Sequence, residues 1–260
     1  MVAERGHDVR VRPALVLLHG FTQTRQSWRR TVAALDGRYR AIAPDLPGHG
    51  QMSERRPASL PAVLAHLRAL IDEPHVLAGY SMGGRIALHA ALTRPETVRR
   101  LVLVGACPGI GDAAERADRR RSDEQLADRI EAIGVEAFAH EWGSLALWEG
   151  QPERVRAAAH ADRLRNSAPG LAAALRGLGT GALPPLWDRL GELTMPVTLI
   201  AGERDAKFRT LAARMAERLA RPDVVVIPGT GHAPQLERPE LVAAAIARGD
   251  ERAPPVRAPE

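Results

Sequence analysis

The segment HVLAGYSMGGRIALHAAL, residues 75–92, narrows most sharply what this chain can fold into. A short apolar run ends in Gly79-Tyr80-Ser81-Met82-Gly83 and passes directly into residues with helical preference. A chain that reverses from strand to helix around one serine crowds the flanking positions, and glycine removes the Cβ clash there. The serine hydroxyl is then presented at a helix N-terminus, where the helix dipole favours developing negative charge.

The rest of the chain repeats the strand-then-helix alternation. Apolar runs at 14–20, 39–45, 75–81, 100–106, 195–203 and 223–229 are rich in Val, Leu and Ile and end in turn residues, so they are expected to be strands. Their unbroken apolar character implies cover on both faces, as in a parallel sheet. Residues 8–13 alternate in polarity and suit an antiparallel edge strand. Helices are expected over 26–36, 58–72, 82–94, 207–220 and 237–247. The pattern predicts an α/β, doubly wound and mostly parallel sheet. From 112 to 190 no strand run occurs, which is too long for one crossover connection, and this stretch is expected to form a helical cap. The core then comprises 1–111 and 191–249, and the Pro- and Arg-rich tail at 250–260 is expected to be disordered.

Composition excludes several classes. Hydrophobic residues make up 45% of the chain, yet no stretch approaches a membrane span, and the charged N-terminus has no apolar signal core. Cys107 is the single cysteine, so neither an internal disulfide nor a cysteine metal cluster is expected, and a cytoplasmic setting fits. Cys107 ends an apolar run and is expected to be a small buried residue. The net charge of +5 comes from scattered arginines with 3% aromatics, so neither nucleic acid nor membrane is an expected partner. A local basic patch for an anionic substrate is compatible with it.

A reactive serine needs a base and the base needs an orienting carboxylate. His232, in GTGHAPQLERPE, follows the strand at 223–229. Asp205, in AGERDAKF, follows the strand at 195–203. The chain order Ser81, Asp205, His232 suits a catalytic triad. His19, in LLHGF, falls in a loop whose backbone would act, making the N–H groups of Phe21 and Met82 the expected oxyanion hole. Arg85 stands four residues after Ser81 and so shares its helix face. The loop GHGQMS (48–53), expected to border the pocket, departs from the commoner GHGxS spacing.

LLHGF, DLPGHG, GYSMGGR, GERDAKF and GTGHAPQLERPE together resemble the α/β-hydrolase superfamily from end to end. Within it, GYSMGGR, CPGIGDAAERADRRRSDEQLADRI, FAHEW, LRNSAPGLAAAL and GERDAKFRTLA resemble the 2-succinyl-6-hydroxy-2,4-cyclohexadiene-1-carboxylate synthases of menaquinone biosynthesis. That resemblance implies a lyase that eliminates pyruvate from a small anionic polycarboxylate, without metal or other cofactor. It implies carboxylate binding by Arg85, Arg119 and Arg165, pocket-lining by Tyr80 and Trp142, and a further contact from Lys207. On its own residues, Arg119 is one of several arginines on a helix whose default is a solvated face. The triad equally suits a serine carboxylesterase or C–C bond hydrolase, and an inactive binding protein on the same fold is the third reading. Either a monomer or a small homo-oligomer is compatible with the sequence.

Overall fold

The structure, a computed structural model, describes residues 12–248. In chain order its strands and helices are β1 (Ala14–Leu18), α1 (Arg29–Ala34), β2 (Arg40–Ile42), α2 (Leu60–Leu70), β3 (His75–Tyr80), α3 (Met82–Thr93), β4 (Val98–Val104), α4 (Ala113–Gly143), α5 (Glu153–Arg163), α6 (Ala168–Leu178), β5 (Val197–Gly202), α7 (Ala206–Ala216), β6 (Pro222–Ile227), α8 (Pro234–Glu237) and α9 (Pro239–Arg248). Every strand expected within these residues is present. The edge strand expected at 8–13 falls almost wholly outside the described residues, as does the tail at 250–260; residues 12 and 13 carry no strand.

The six strands form one sheet in the order β2-β1-β3-β4-β5-β6, and every pairing is parallel. Alternate side chains of each strand feed opposite layers. Val16 and Leu18 pack with Leu67 of α2, Ile86 of α3 and Met215 of α7. Leu15 and Leu17 pack with Tyr39 and with Val242 and Ile246 of α9 on the other face. Leu15, Leu17 and Leu18 are fully buried, which stabilises the fold by about 2 kcal/mol apiece. Both faces being covered explains why the strands read as continuous apolar runs.

The strand order reverses between β1 and β3, because the chain leaves β1 toward β2 and returns to pair on the other side. Loops leaving the carboxyl ends of these two strands diverge, and the crevice between them is where open α/β sheets place a ligand. The registers Leu18↔Gly79, Gly79↔Leu103 and Gly202↔Ile227 bring the strand ends to a common edge.

Between β4 and β5 the chain is helical. α4 is two helices joined at Gly134, whose φ of 79° and ψ of 168° are non-helical. A Cβ there would meet nothing, so the left-handed φ itself is what calls for glycine. Ala127 and Ile130 of α4 pack on Leu171 and Leu175 of α6, with Phe138 completing the cluster against Phe21 and Trp142.

Four buried imidazoles are held below the ordinary histidine range, His75 by burial among them. Burial lowers His19 and His49, the latter further through its neighbour His19. Burial, then the cations of Arg85 and Arg189, push His89 of α3 down to about 4. The folded state therefore refuses protons that the unfolded chain accepts below about pH 6.5. The melting temperature is expected to fall as the pH drops from about 6.5 toward 4. His89→Asn should flatten that slope in a calorimetric pH series, and an unchanged slope would refute the assignment.

Candidate active site

Ser81 links β3 to α3 with φ 49° and ψ −110°, a conformation that costs a non-glycine residue on the order of 1–3 kcal/mol. Close packing holds it there. A Cβ on Gly79 would lie 2.4 Å from the Gly83 carbonyl oxygen, and one on Gly83 would lie 2.3 Å from that of Leu18. The Ser81 N–H donates to the Val104 carbonyl at 2.9 Å, tying the turn to β4. Met82 opens α3, so its N–H has no acceptor within the helix.

Asp205 caps α7, accepting the Phe208 N–H at 3.2 Å through Oδ1. Its Oδ2 lies 2.7 Å from Nδ1 of His232, so the carboxylate fixes the imidazole and leaves Nε2 for a second partner. Rings of Phe208, Tyr80 and Trp148 stand 4.4, 5.4 and 6.2 Å from the His232 ring and restrict its rotation.

One carboxylate holds together the loops that carry Asp205 and His232. Glu237 of α8, 4% exposed, accepts the Gly231 N–H at 3.1 Å and Nη2 of Arg204 at 2.9 Å. Gly231 precedes His232 and Arg204 precedes Asp205. Arg204 also donates through its backbone to Thr230 and through Nη1 to the Gly150 carbonyl, reaching the segment between α4 and α5.

Ser81, His232 and Asp205 line one cavity of about 840 Å³, with Phe21, Met82, Arg85, Arg119, Trp142 and Lys207. Arg85 is the best-placed cation. Its Nε is buried without a partner, Nη2 reaches the Leu178 carbonyl at 3.5 Å, and the Cys107 thiol lies beside the guanidinium. Burial lowers its guanidinium below the ordinary range, opposed by the Cys107 thiol. Arg119 extends from α4, its Nε 2.7 Å from Asp123 and its side chain 46% exposed. Trp142 carries a buried indole N–H with no acceptor and packs edge-on against Phe21, ring centres 5.4 Å apart. Among the acidic lining residues, Asp112 caps α4 and Asp205 holds His232.

Four expectations are corrected. Arg165 does not reach this cavity. It is exposed, 3.7 Å from Asp162, and lines a separate groove with Arg25 and Gln51, because the turn after α5 points Asn166 inward instead, onto the Thr22 carbonyl. Tyr80 is 2% exposed and sits one layer behind the cavity, filling the space that Gly20 leaves; burial pushes its phenol well above the ordinary range. Cys107 is half-buried and faces the cavity beside Arg85. The 48–53 loop does not line the cavity, and His49 meets it only through Phe21, ring centres 5.9 Å apart.

The sequence reading missed Trp187, Arg214 and Arg218, which also line the cavity. Positions 207 and 214 share one face of α7, and 218 follows just beyond its end at the same spacing, a signal obscured by the general abundance of arginine.

A six-stranded parallel sheet with a serine at the β3–α3 turn, an acid after β5 and a histidine after β6 defines a class, and the whole-chain comparison agrees: residues 15–245 match the Alpha/beta hydrolase family, and the chain belongs to it. Within that family the chain is similar to 2-succinyl-6-hydroxy-2,4-cyclohexadiene-1-carboxylate synthase of Escherichia coli O1:K1 / APEC, 33% identical over 240 residues that cover 91% of this chain and 93% of the relative. A Bacillus subtilis (strain 168) protein, provisionally named for the same activity, is 37% identical over 88% of this chain and 86% of its own length. The solved structure of MenH from S. aureus superposes with a TM-score of 0.89 at 31% identity, covering 95% of this chain and 96% of that one.

Glu237→Gln keeps the shape of the side chain but removes the charge shared by Arg204 and the Gly231 N–H. It is expected to cost about 2 kcal/mol of stability and to slow labelling of Ser81 by a fluorophosphonate about tenfold. Denaturant melts and labelling kinetics check both, and wild-type labelling would show that the carboxylate does not position the triad.

Proposed function

We propose that this protein is a lyase that eliminates pyruvate from 2-succinyl-5-enolpyruvyl-6-hydroxy-3-cyclohexene-1-carboxylate, giving 2-succinyl-6-hydroxy-2,4-cyclohexadiene-1-carboxylate in menaquinone biosynthesis. The observation that carries this reading is the under-partnered Arg85 guanidinium in the same cavity as Ser81 and the Asp205-bound His232. A buried cation with an unmet donor suits a carboxylate-rich guest and serves no purpose toward a neutral ester. Similarity to the synthases supports the same reading.

The two ring structures define the chemistry. Substrate carries one ring double bond at C3 and product carries two, at C2 and C4, so the proton leaves C2, beside the succinyl ketone. Its electron pair forms the C2–C3 bond, the old double bond moves to C4–C5, and the C5–O bond breaks. That bonding pair leaves on pyruvate as its enolate, which takes up a proton. Ser81 accepts the C2 proton, its own proton having passed to His232, whose imidazolium Asp205 stabilises. Negative charge that gathers on the ketone oxygen is met by the N–H groups of Phe21 and Met82, worth about 3 kcal/mol per donor. Arg85 and Arg119 hold carboxylates, with Trp142 and Lys207 beside them, which lowers the entropic part of the barrier. Ser81 thus acts as a base, and no acyl-enzyme forms.

Residues 112–190 act as a cap over the expected core, of which 12–111 and 191–248 are described. Among the described residues no helix is long and apolar enough to cross a membrane. A cytoplasmic enzyme on a small anionic substrate fits the reading.

A coupled assay for pyruvate with the enolpyruvyl substrate tests it. Turnover is expected, with a loss of at least about a thousandfold in Ser81→Ala. Arg85→Ala should raise KM about tenfold or more. Fast hydrolysis of p-nitrophenyl acetate through a trappable acyl-enzyme, with no pyruvate released, would assign the protein to the esterases instead.

A further inference from the structure

The proposed substrate carries three carboxylates: one on the ring, one on the succinyl arm and one on the enolpyruvyl group. Arg165 faces a different groove, so Arg85 and Arg119 are the only sequence-expected arginines in the cavity. A second cationic station nevertheless lines it. Arg214, in the last turn of α7, lies with its guanidinium carbon 4.8 Å from the centre of the Trp187 ring, and Arg218 lies 5.6 Å from the same ring. Trp187 is itself anchored, its indole N–H donating to the Gly109 carbonyl at 3.0 Å.

We propose that Arg214 and Arg218, stacked on Trp187, form a carboxylate-binding subsite that receives the succinyl arm of the substrate; this rests on the lyase reading above. Three observations carry it. Stacking fixes the plane of a guanidinium while leaving its N–H edge free for two parallel bonds to a carboxylate. Among the described residues Arg214 has no acidic partner. Arg218 has only the fully exposed Asp188, at 3.7 Å, a contact too long and too hydrated to hold it against a substrate carboxylate. The placement also fits the arm. Arg214 stands nine residues beyond Asp205, about 13 Å along the helix axis from the triad acid. That station is offset from Asp205 and His232, so it suits a carboxylate set off from the reacting carbons. The succinyl carboxylate, on a flexible chain, meets that condition, whereas the ring and enolpyruvyl carboxylates flank the reacting carbons.

The subsite therefore adds binding to the substrate and nothing to the proton transfer. Arg214→Met/Arg218→Met keeps an apolar stem over Trp187 and removes both charges. In the pyruvate assay it is expected to raise KM at least tenfold with kcat within about threefold of wild type and an unchanged melting temperature. Arg214→Lys/Arg218→Lys should recover part of the loss in KM. If KM stays within twofold of wild type, or if kcat falls instead, the subsite is refuted.

A second arm separates this result from failure of the lyase reading. Propane-1,2,3-tricarboxylate is titrated while tryptophan fluorescence is followed, with Trp187→Phe identifying the responding ring. Saturable quenching that is lost in the double Met variant supports the subsite even if no pyruvate is released. Quenching that is absent, or unaffected by the double Met variant, counts against it.

Discussion

The whole arrangement depends on how closely α3 can lie against the ends of β1 and β3. With the Gly83 Cα facing the Leu18 carbonyl and Gly79 facing Gly83, helix and strand meet at a distance no side chain tolerates. That contact forces Ser81 into its left-handed conformation, and the pairing with β4 through the Val104 carbonyl keeps it there. The hydroxyl is thereby lifted over the sheet edge, at the point where strand order reverses. Packing of the two apolar layers supplies the stability against which this local strain is set.

Charge is the second organising element. Much of the arginine on this protein is engaged with carboxylates on the surface, as in the cluster of Arg176 with Glu124, Asp128 and Glu131. Arg85 differs because it is buried with its Nε unpartnered beside a thiol and a carbonyl, and the nearby Arg119 cation adds to its positive charge while Asp123 opposes it. Under the function proposed above, a carboxylate of the substrate relieves that situation without a high overall charge on the protein. The same helix carries His89 one turn further on, and the Arg85 cation helps to keep it neutral.

The strands, and the places of Ser81, Asp205 and His232 at the strand ends, were legible in the sequence because each depends on local pattern. Apolar runs ending in turn residues marked every described strand, and the glycines around Ser81 marked the turn. Asp205 and His232 were found by their position after strands, and the 2.7 Å bond between them joins what the chain separates by 27 residues. Arg165 and Tyr80 fail for one cause, since each concerns the direction a side chain takes from a correctly placed segment. Arg165 and Asn166 are adjacent, and only the tertiary fit against Thr22 decides that the amide turns in. Tyr80 was expected in the pocket, but Gly20 leaves a space beneath His232 that its ring fills. Trp187 and Arg214 come from segments 27 positions apart, and no local pattern announces that they stack.

The contact between Arg204 and the Gly150 carbonyl has a consequence for how such proteins diversify. The helices between β4 and β5 are the natural place for a new specificity to be grafted, since the sheet tolerates many lengths there. In this chain the graft is not free-standing: its 150 turn is stitched to the guanidinium that shares Glu237 with the histidine loop. A hybrid that borrows another relative's helices must therefore bring a matching acceptor, or its imidazole will lose its footing even though every triad residue is intact.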